Sequence, residues 1–137
     1  MNGFSAEWLK LREPYDLRAR NAAVLNAVFN LLAGRPSVAL VDLACGTGST
    51  FRALSPRISA RQTWRLVDND LSLLARVPLS SPPSINVTAV SIDLNRDLEA
   101  AFDSAADLIT TSALLDLVSN DWLNRLALEG LDRCLRG

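Results

Sequence analysis

No histidine occurs anywhere in the 137 residues. That removes the commonest general base near neutral pH and every imidazole-ligated metal site. Lysine is nearly absent too: Lys10 is the one lysine, and the other basic residues are arginine. Lys plus Arg total 14 against 15 Asp plus Glu, interleaved along the chain for a formal net charge of -1. Without a cluster of positive charge there is no electrostatic footprint for nucleic acid. Cys45 and Cys134 lie far apart and neither belongs to a CxxC pair. A disulfide framework and a zinc site are thereby disfavoured, and a reducing cytoplasm is the default compartment. Long apolar runs are missing as well. Val38 to Val41 and Leu114 to Val118 are far too short to span a bilayer, so no membrane association is expected. The first residues, from Met1 to Trp8, lack the basic start and apolar run of a secretory signal.

What remains is an ordinary globular balance, 49% apolar and 21% charged, with room for one hydrophobic core. Ala6 to Leu32 reads as helical with a break near Pro14. Leu17, Val24, Leu25, Val28, Leu31 and Leu32 recur at helical spacing. Gly34-Arg35-Pro36 ends that segment, glycine supplying a left-handed turn and proline forbidding continuation. Val38 to Ala44 is continuously apolar but for Asp42, the look of a strand covered on both faces. A glycine turn follows at Cys45 to Gly48, then a helix from about Ser49 to Ile58. Strands are expected at Thr63 to Val67, Ile85 to Ile92 and Ala106 to Thr111. Short helices fall at Leu71 to Val77 and Asp97 to Phe102. A longer amphipathic one, capped by Ser119 or Asn120, runs from about Asp121 to Leu135. Strands alternating with helices imply right-handed crossovers and an α/β, doubly wound parallel sheet.

In such a sheet ligands bind beyond the carboxyl ends of the strands, near the point where strand order reverses. The first strand leads directly into Asp42-Leu43-Ala44-Cys45-Gly46-Thr47-Gly48. Glycines there let the backbone fold tightly against a ligand, and the following helix offers free N–H groups. A dinucleotide fingerprint would need a third glycine three residues after Gly48, where Phe51 stands. An acid on the strand, two residues before a small residue and four before the first glycine, fits a different pattern. Asp42, Ala44, Gly46 and Gly48 resemble motif I of the class I S-adenosylmethionine-dependent methyltransferases, with Ala44 where many members have glycine. The resemblance continues through Asp68 at the end of the second strand, Asp93 after the third, and Ala106-Asp107-Leu108-Ile109-Thr110-Thr111-Ser112. It covers roughly Val38 to Gly137.

This resemblance implies a Rossmann-like sheet of order 3-2-1-4 and S-adenosylmethionine as cofactor. The turn would wrap its methionine part, with Asp42 accepting, directly or through water, from its amino group. Asp68, with Asn69 beside it, would accept the ribose hydroxyls. Asp93 would take a hydrogen bond from the adenine amine, and the Leu94 N–H would serve the ring. Ser112 is counted among the cofactor contacts. Asp116, just after the fourth strand, and Tyr15, in a charged segment preceding the sheet, are candidates to face the substrate. Apart from the resemblance, the density of charged residues from Leu11 to Arg20 suggests that Arg12 or Arg18 pairs with the cofactor carboxylate.

Each of these residues also has a plain structural role open to it. Asp68 and Asp93 can be solvated strand ends, and Asp70 is expected to cap the next helix. Asp42, buried on a strand, requires a ligand or a fixed donor. Cys45 is expected as a small filler in the turn, Cys134 as a core-facing helix residue, and Trp8, Trp64 and Trp122 as packing.

The family's sheet has seven strands in the order 3-2-1-4-5-7-6, of which four are expected here. Residues 1–34 are then an N-terminal helical cap, and residues 35–137 an incomplete cofactor-binding domain. The exposed fourth strand would be an edge open to self-association or to a partner, unless the chain is simply truncated. The expected activity is methyl transfer to a small molecule. The rivals are a non-catalytic cofactor- or partner-binding module and a nicotinamide-dependent oxidoreductase. The latter is disfavoured by Phe51 and by the absence of a Tyr-x-x-x-Lys pair.

Overall fold

The computed structural model describes residues 5–19, 22–77, 81–102, 106–111 and 120–136; side chains are described except at 12, 15–19 and 130–136. Two helices open the chain, α1 (Ala6–Ala19) and α2 (Ala22–Leu32). Strand β1 (Ser37–Leu43) is followed by α3 (Ser49–Leu54) and a 3-10 turn (Ser55–Arg57). Then come β2 (Arg61–Asp68), α4 (Leu71–Leu74), β3 (Ile85–Ser91), a second 3-10 turn (Leu98–Phe102), β4 (Leu108–Thr111) and α5 (Asn120–Arg136).

The four strands form one parallel sheet in the order β3-β2-β1-β4. Parallel pairing obliges each connection to cross over, and the helices that do so cover both faces. Alternation along β1 and β2 sorts the apolar residues between them. Val38, Leu40, Trp64 and Leu66 pack with Leu32, Phe51 and Leu54 on one face, joined by Leu25, Val28 and Phe29 of α2. Val41, Leu43 and Val67 pack with Leu98, Phe102 and Trp122 on the other.

The first of these faces holds a buried polar relay. Trp64 is fully enclosed and meets Phe51 edge-to-face at 5.1 Å. Its indole N–H donates to Gln62 Oε1 at 2.8 Å, and the Gln62 amide donates to the Ser55 and Ile58 carbonyls at 3.0 and 2.9 Å. The relay satisfies groups that would otherwise be costly to bury, and ties the loop after α3 to β2.

Several boundaries differ from the sequence expectation. Helix α1 runs through Pro14 rather than breaking there; the ring removes one N–H from the ladder, and the helix continues past it. The helix after the glycine turn stops at Leu54, because Pro56 favours a tight 3-10 turn. Strand β2 begins two residues early, at Arg61, whose N–H bonds the Pro36 carbonyl at 3.1 Å. Asp70 caps α4 as expected, accepting from the N–H groups of Ser72 and Leu73. Trp64 and Trp122 are buried, whereas Trp8 is half exposed.

Candidate functional site

The carboxyl ends of β1, β2 and β3 lie side by side. Leu43 is in register with Val67, and Asp68 with Ser91. The Asp68 carbonyl accepts from the Ile92 N–H at 3.0 Å, extending the pairing to the residue before Asp93. Asp42, Asp68 and Asp93 are thus gathered at one edge of the sheet. Asp42 and Asp68 also share the alternation of Leu40 and Leu66, which places both on the α2–α3 face.

Between them the chain bends sharply. Gly46 and Gly48 have φ of 59° and 93°, and Ala44 is also left-handed at 55°. A Cβ is unfavourable there by about 1–2 kcal/mol, so Ala44 holds a conformation that glycine would adopt freely. The Cys45 N–H bonds the Val67 carbonyl at 2.9 Å and the Gly48 N–H returns to the Cys45 carbonyl at 3.0 Å. Gly48 then opens α3 with no side-chain cap.

Asp68 pins the turn. One carboxylate oxygen accepts from the Gly46 N–H at 2.9 Å and the other from the Asp70 N–H at 3.0 Å. Only 7% of the residue is exposed, so these amides are what make its burial tolerable. An oxygen of a carboxylate has two acceptor positions, and each retains capacity for a further donor. Asp42, 1% exposed, accepts from the Thr110 hydroxyl at 2.7 Å, the fixed donor that a buried strand carboxylate requires. Sequence reasoning did not single out Thr110; its register opposite Asp42 is set by the β1–β4 pairing.

Cys45 sits between the two acids in a buried position. Burial pushes its thiol well above the ordinary range, and the charges of Asp42 and Asp68 push it further. It is held as the neutral thiol, which matches the expectation that it is not a nucleophile.

Past β3, the Asp93 carboxylate accepts from the Asn95 N–H at 3.0 Å, and its carbonyl accepts from the N–H groups of Arg96 and Asp97 at 3.1 and 2.8 Å. Asn69 is exposed beside Asp68, and Leu94 is buried in the second core cluster. Ser112 and Asp116 lie outside the described residues. Arg12, Tyr15 and Arg18 are on α1, but their side chains are likewise outside them.

Helix α1 lies over the turn. Leu9 Cδ1 is 3.2 Å from where a Cβ on Gly46 would stand. Glu13 receives the Arg52 guanidinium, whose Nη1 also donates to the Thr47 carbonyl at 2.5 Å. Glu7 pairs with Arg76 at 3.0 Å. These contacts, which the sequence did not disclose, border a cleft of about 450 Å³ lined by Lys10, Glu13, Pro14, Thr47, Arg52 and Arg76. The cleft flanks the turn and is not lined by Asp42, Asp68 or Asp93. Among the described residues no group of acids and cysteines could hold a metal, and no helix is long and apolar enough to cross a membrane.

Comparison with solved structures decides the architecture. A cyclopropane-fatty-acyl-phospholipid synthase-like protein from Lactobacillus casei superposes with a TM-score of 0.54 at 15% identity, over 90% of this chain. The fold is Rossmann-like. The chain spans 54% of that protein's length, so the likeness concerns about half of it. No family model and no curated protein matches the chain.

Proposed function

We propose that this chain binds S-adenosylmethionine at the β1–β2–β3 edge and serves as the cofactor half of a methyltransferase acting on a small molecule. The observation that carries the reading is the pinned turn. Three left-handed residues, Ala44, Gly46 and Gly48, are held against β2 by the Asp68 carboxylate, with Asp42 and Asp93 at the neighbouring strand ends.

The three carboxylates offer acceptors for the hydroxyl and amino groups of the cofactor. A Cβ at Gly46 would stand 3.2 Å from Leu9 Cδ1, so the glycine lets α1 pack closely over the turn. Asp68 would accept from the ribose hydroxyls with its remaining lone pairs, Asp93 from the adenine amine, and Asp42 from the amino group. The cofactor supplies an electrophilic methyl on a sulfonium. The residues here bind and orient it, and the cover of α1 excludes water. Phe51 weighs against a dinucleotide, since its ring fills the helix–strand contact against Trp64 where that fingerprint needs a glycine.

A second reading is a binding module without transfer activity of its own; the likeness to the solved structure bears on the fold alone. Titration calorimetry with S-adenosylhomocysteine tests what both share. Saturable binding of S-adenosylhomocysteine, with none for NADH, supports cofactor recognition. No heat at millimolar ligand contradicts it. Methyl transfer to a panel of small acceptors then separates the two readings.

A further inference from the structure

The segment that would meet the nucleobase is held from behind by α5. Three successive carbonyls after Asp93 accept from two side chains of that helix. The Trp122 indole N–H donates to the Leu94 carbonyl at 2.7 Å. Arg125 Nη1 donates to the Asn95 carbonyl at 2.9 Å and its Nη2 to the Arg96 carbonyl at 3.4 Å. The same guanidinium grips Glu99 with two bonds, at 2.9 and 2.7 Å. Trp122 and Arg125 are three residues apart, on one face of the helix.

Helix α5 is already docked by apolar contact, through Trp122 with Leu123 and Leu126 beside it. The Arg125 guanidinium adds little to that docking. It is a third exposed, and an exposed ion pair contributes little to stability. Its planar fork does fix the path of the backbone from Asn95 to Glu99. That path sets the aim of one group in particular. The Asp93 carbonyl accepts from the Arg96 and Asp97 amides, closing a turn. In a planar trans peptide the N–H opposes the C=O, so the Leu94 N–H points away from that turn.

We propose that Trp122 and Arg125 are positioning residues for the nucleobase subsite. They hold residues 93–96 so that the Asp93 carboxylate and the Leu94 N–H keep their orientation toward an adenine ring. This rests on the cofactor reading above. The helix after β4 thereby controls affinity for a ligand it does not touch.

The experiment combines calorimetry, with S-adenosylhomocysteine and with adenosine, and amide hydrogen exchange on the whole chain. Arg125→Gln is expected to weaken both ligands by the same factor, about tenfold. It should speed exchange from Leu94 to Asp97 while leaving β1 and β2 unchanged. Arg125→Lys, which keeps the charge but not the fork, should recover part of the affinity; Trp122→Phe should weaken both ligands without removing the ring. Undiminished affinity in Arg125→Gln, whatever the exchange shows, overturns the proposal while the cofactor reading stands. Failure of the unmodified protein to bind either ligand overturns the cofactor reading and this proposal with it.

Discussion

The Asp68 carboxylate accepts the Gly46 N–H at 2.9 Å across 22 residues, joining the end of β2 to the middle of the turn that follows β1. One side chain thereby shapes the turn, and in the proposed reading the same carboxylate would accept from the ribose hydroxyls. Asp68→Ala is therefore expected to cost about 2–3 kcal/mol of stability, by leaving two amides without their acceptor. It should also abolish S-adenosylhomocysteine binding at temperatures where the variant stays folded. Asp68→Asn, which keeps one acceptor oxygen, should lose less of each; urea melts and calorimetry on the same samples check this.

Ala44 is strained where it stands. At φ 55° the methyl group crowds the backbone. Ala44→Gly should leave stability unchanged or raise it by about 1 kcal/mol, the relief being partly offset by a more flexible unfolded chain. Ala44→Val should lower it by about 1–2 kcal/mol, since a branched Cβ tolerates the left-handed region least. Denaturant midpoints at constant slope are the measurement.

Much of the architecture was open to view in the sequence. The continuous apolar run from Val38 identified a doubly covered strand, and alternating elements implied a parallel sheet; the order 3-2-1-4 came only from the resemblance carried by Asp42, Gly46 and Gly48. Asp70 could be recognised as a cap from its place before Leu71. The side-chain links were hidden because they join distant residues. Thr110 donates to Asp42 across 68 positions, Arg52 reaches Glu13 across 39, and Arg35 grips Asp107 across 72. No periodicity marks such pairs; only the strand register and the helix docking create them. Pro14 misled for a different reason. Its ring forbids one hydrogen bond, and a helix packed over the turn can forgo that bond and continue.

The raised thiol of Cys45 predicts a pH dependence. In the unfolded chain a cysteine ionises at about 8.5, whereas burial first and the two carboxylates second keep the folded thiol protonated. The folded state thus binds more protons above that value, and its stability falls as pH rises. The contribution is fully present below about pH 8.5 and declines above it. Cys45→Ala should flatten the alkaline limb of a stability-against-pH curve measured between pH 7 and 10. Native protein at pH 8 should also resist alkylation at Cys45, and become reactive in denaturant.

Thr110→Val removes the hydroxyl that donates to Asp42 while keeping the shape of the side chain. Loss of a hydrogen bond to a buried charge is expected to cost about 1.5–3 kcal/mol. Denaturant melts at neutral pH measure the loss.

Glu13→Gln breaks the ion pair that ties α1 to Arg52. Because both partners retain solvent contact, global stability should change by less than about 1 kcal/mol. The local effect should be larger. Amide exchange in α1 is expected to accelerate, and in the unmodified protein the same acceleration should appear at high salt.

The account depends most on the place where an adenosyl ligand would sit. Its direct test is a titration of isotope-labelled protein with S-adenosylhomocysteine, followed by amide chemical shifts. The account predicts saturable shifts at Gly46, Gly48, Asn69, Asp70 and Leu94, around the ends of β1, β2 and β3. Saturable shifts confined to another surface, or no shifts at millimolar ligand, would contradict it.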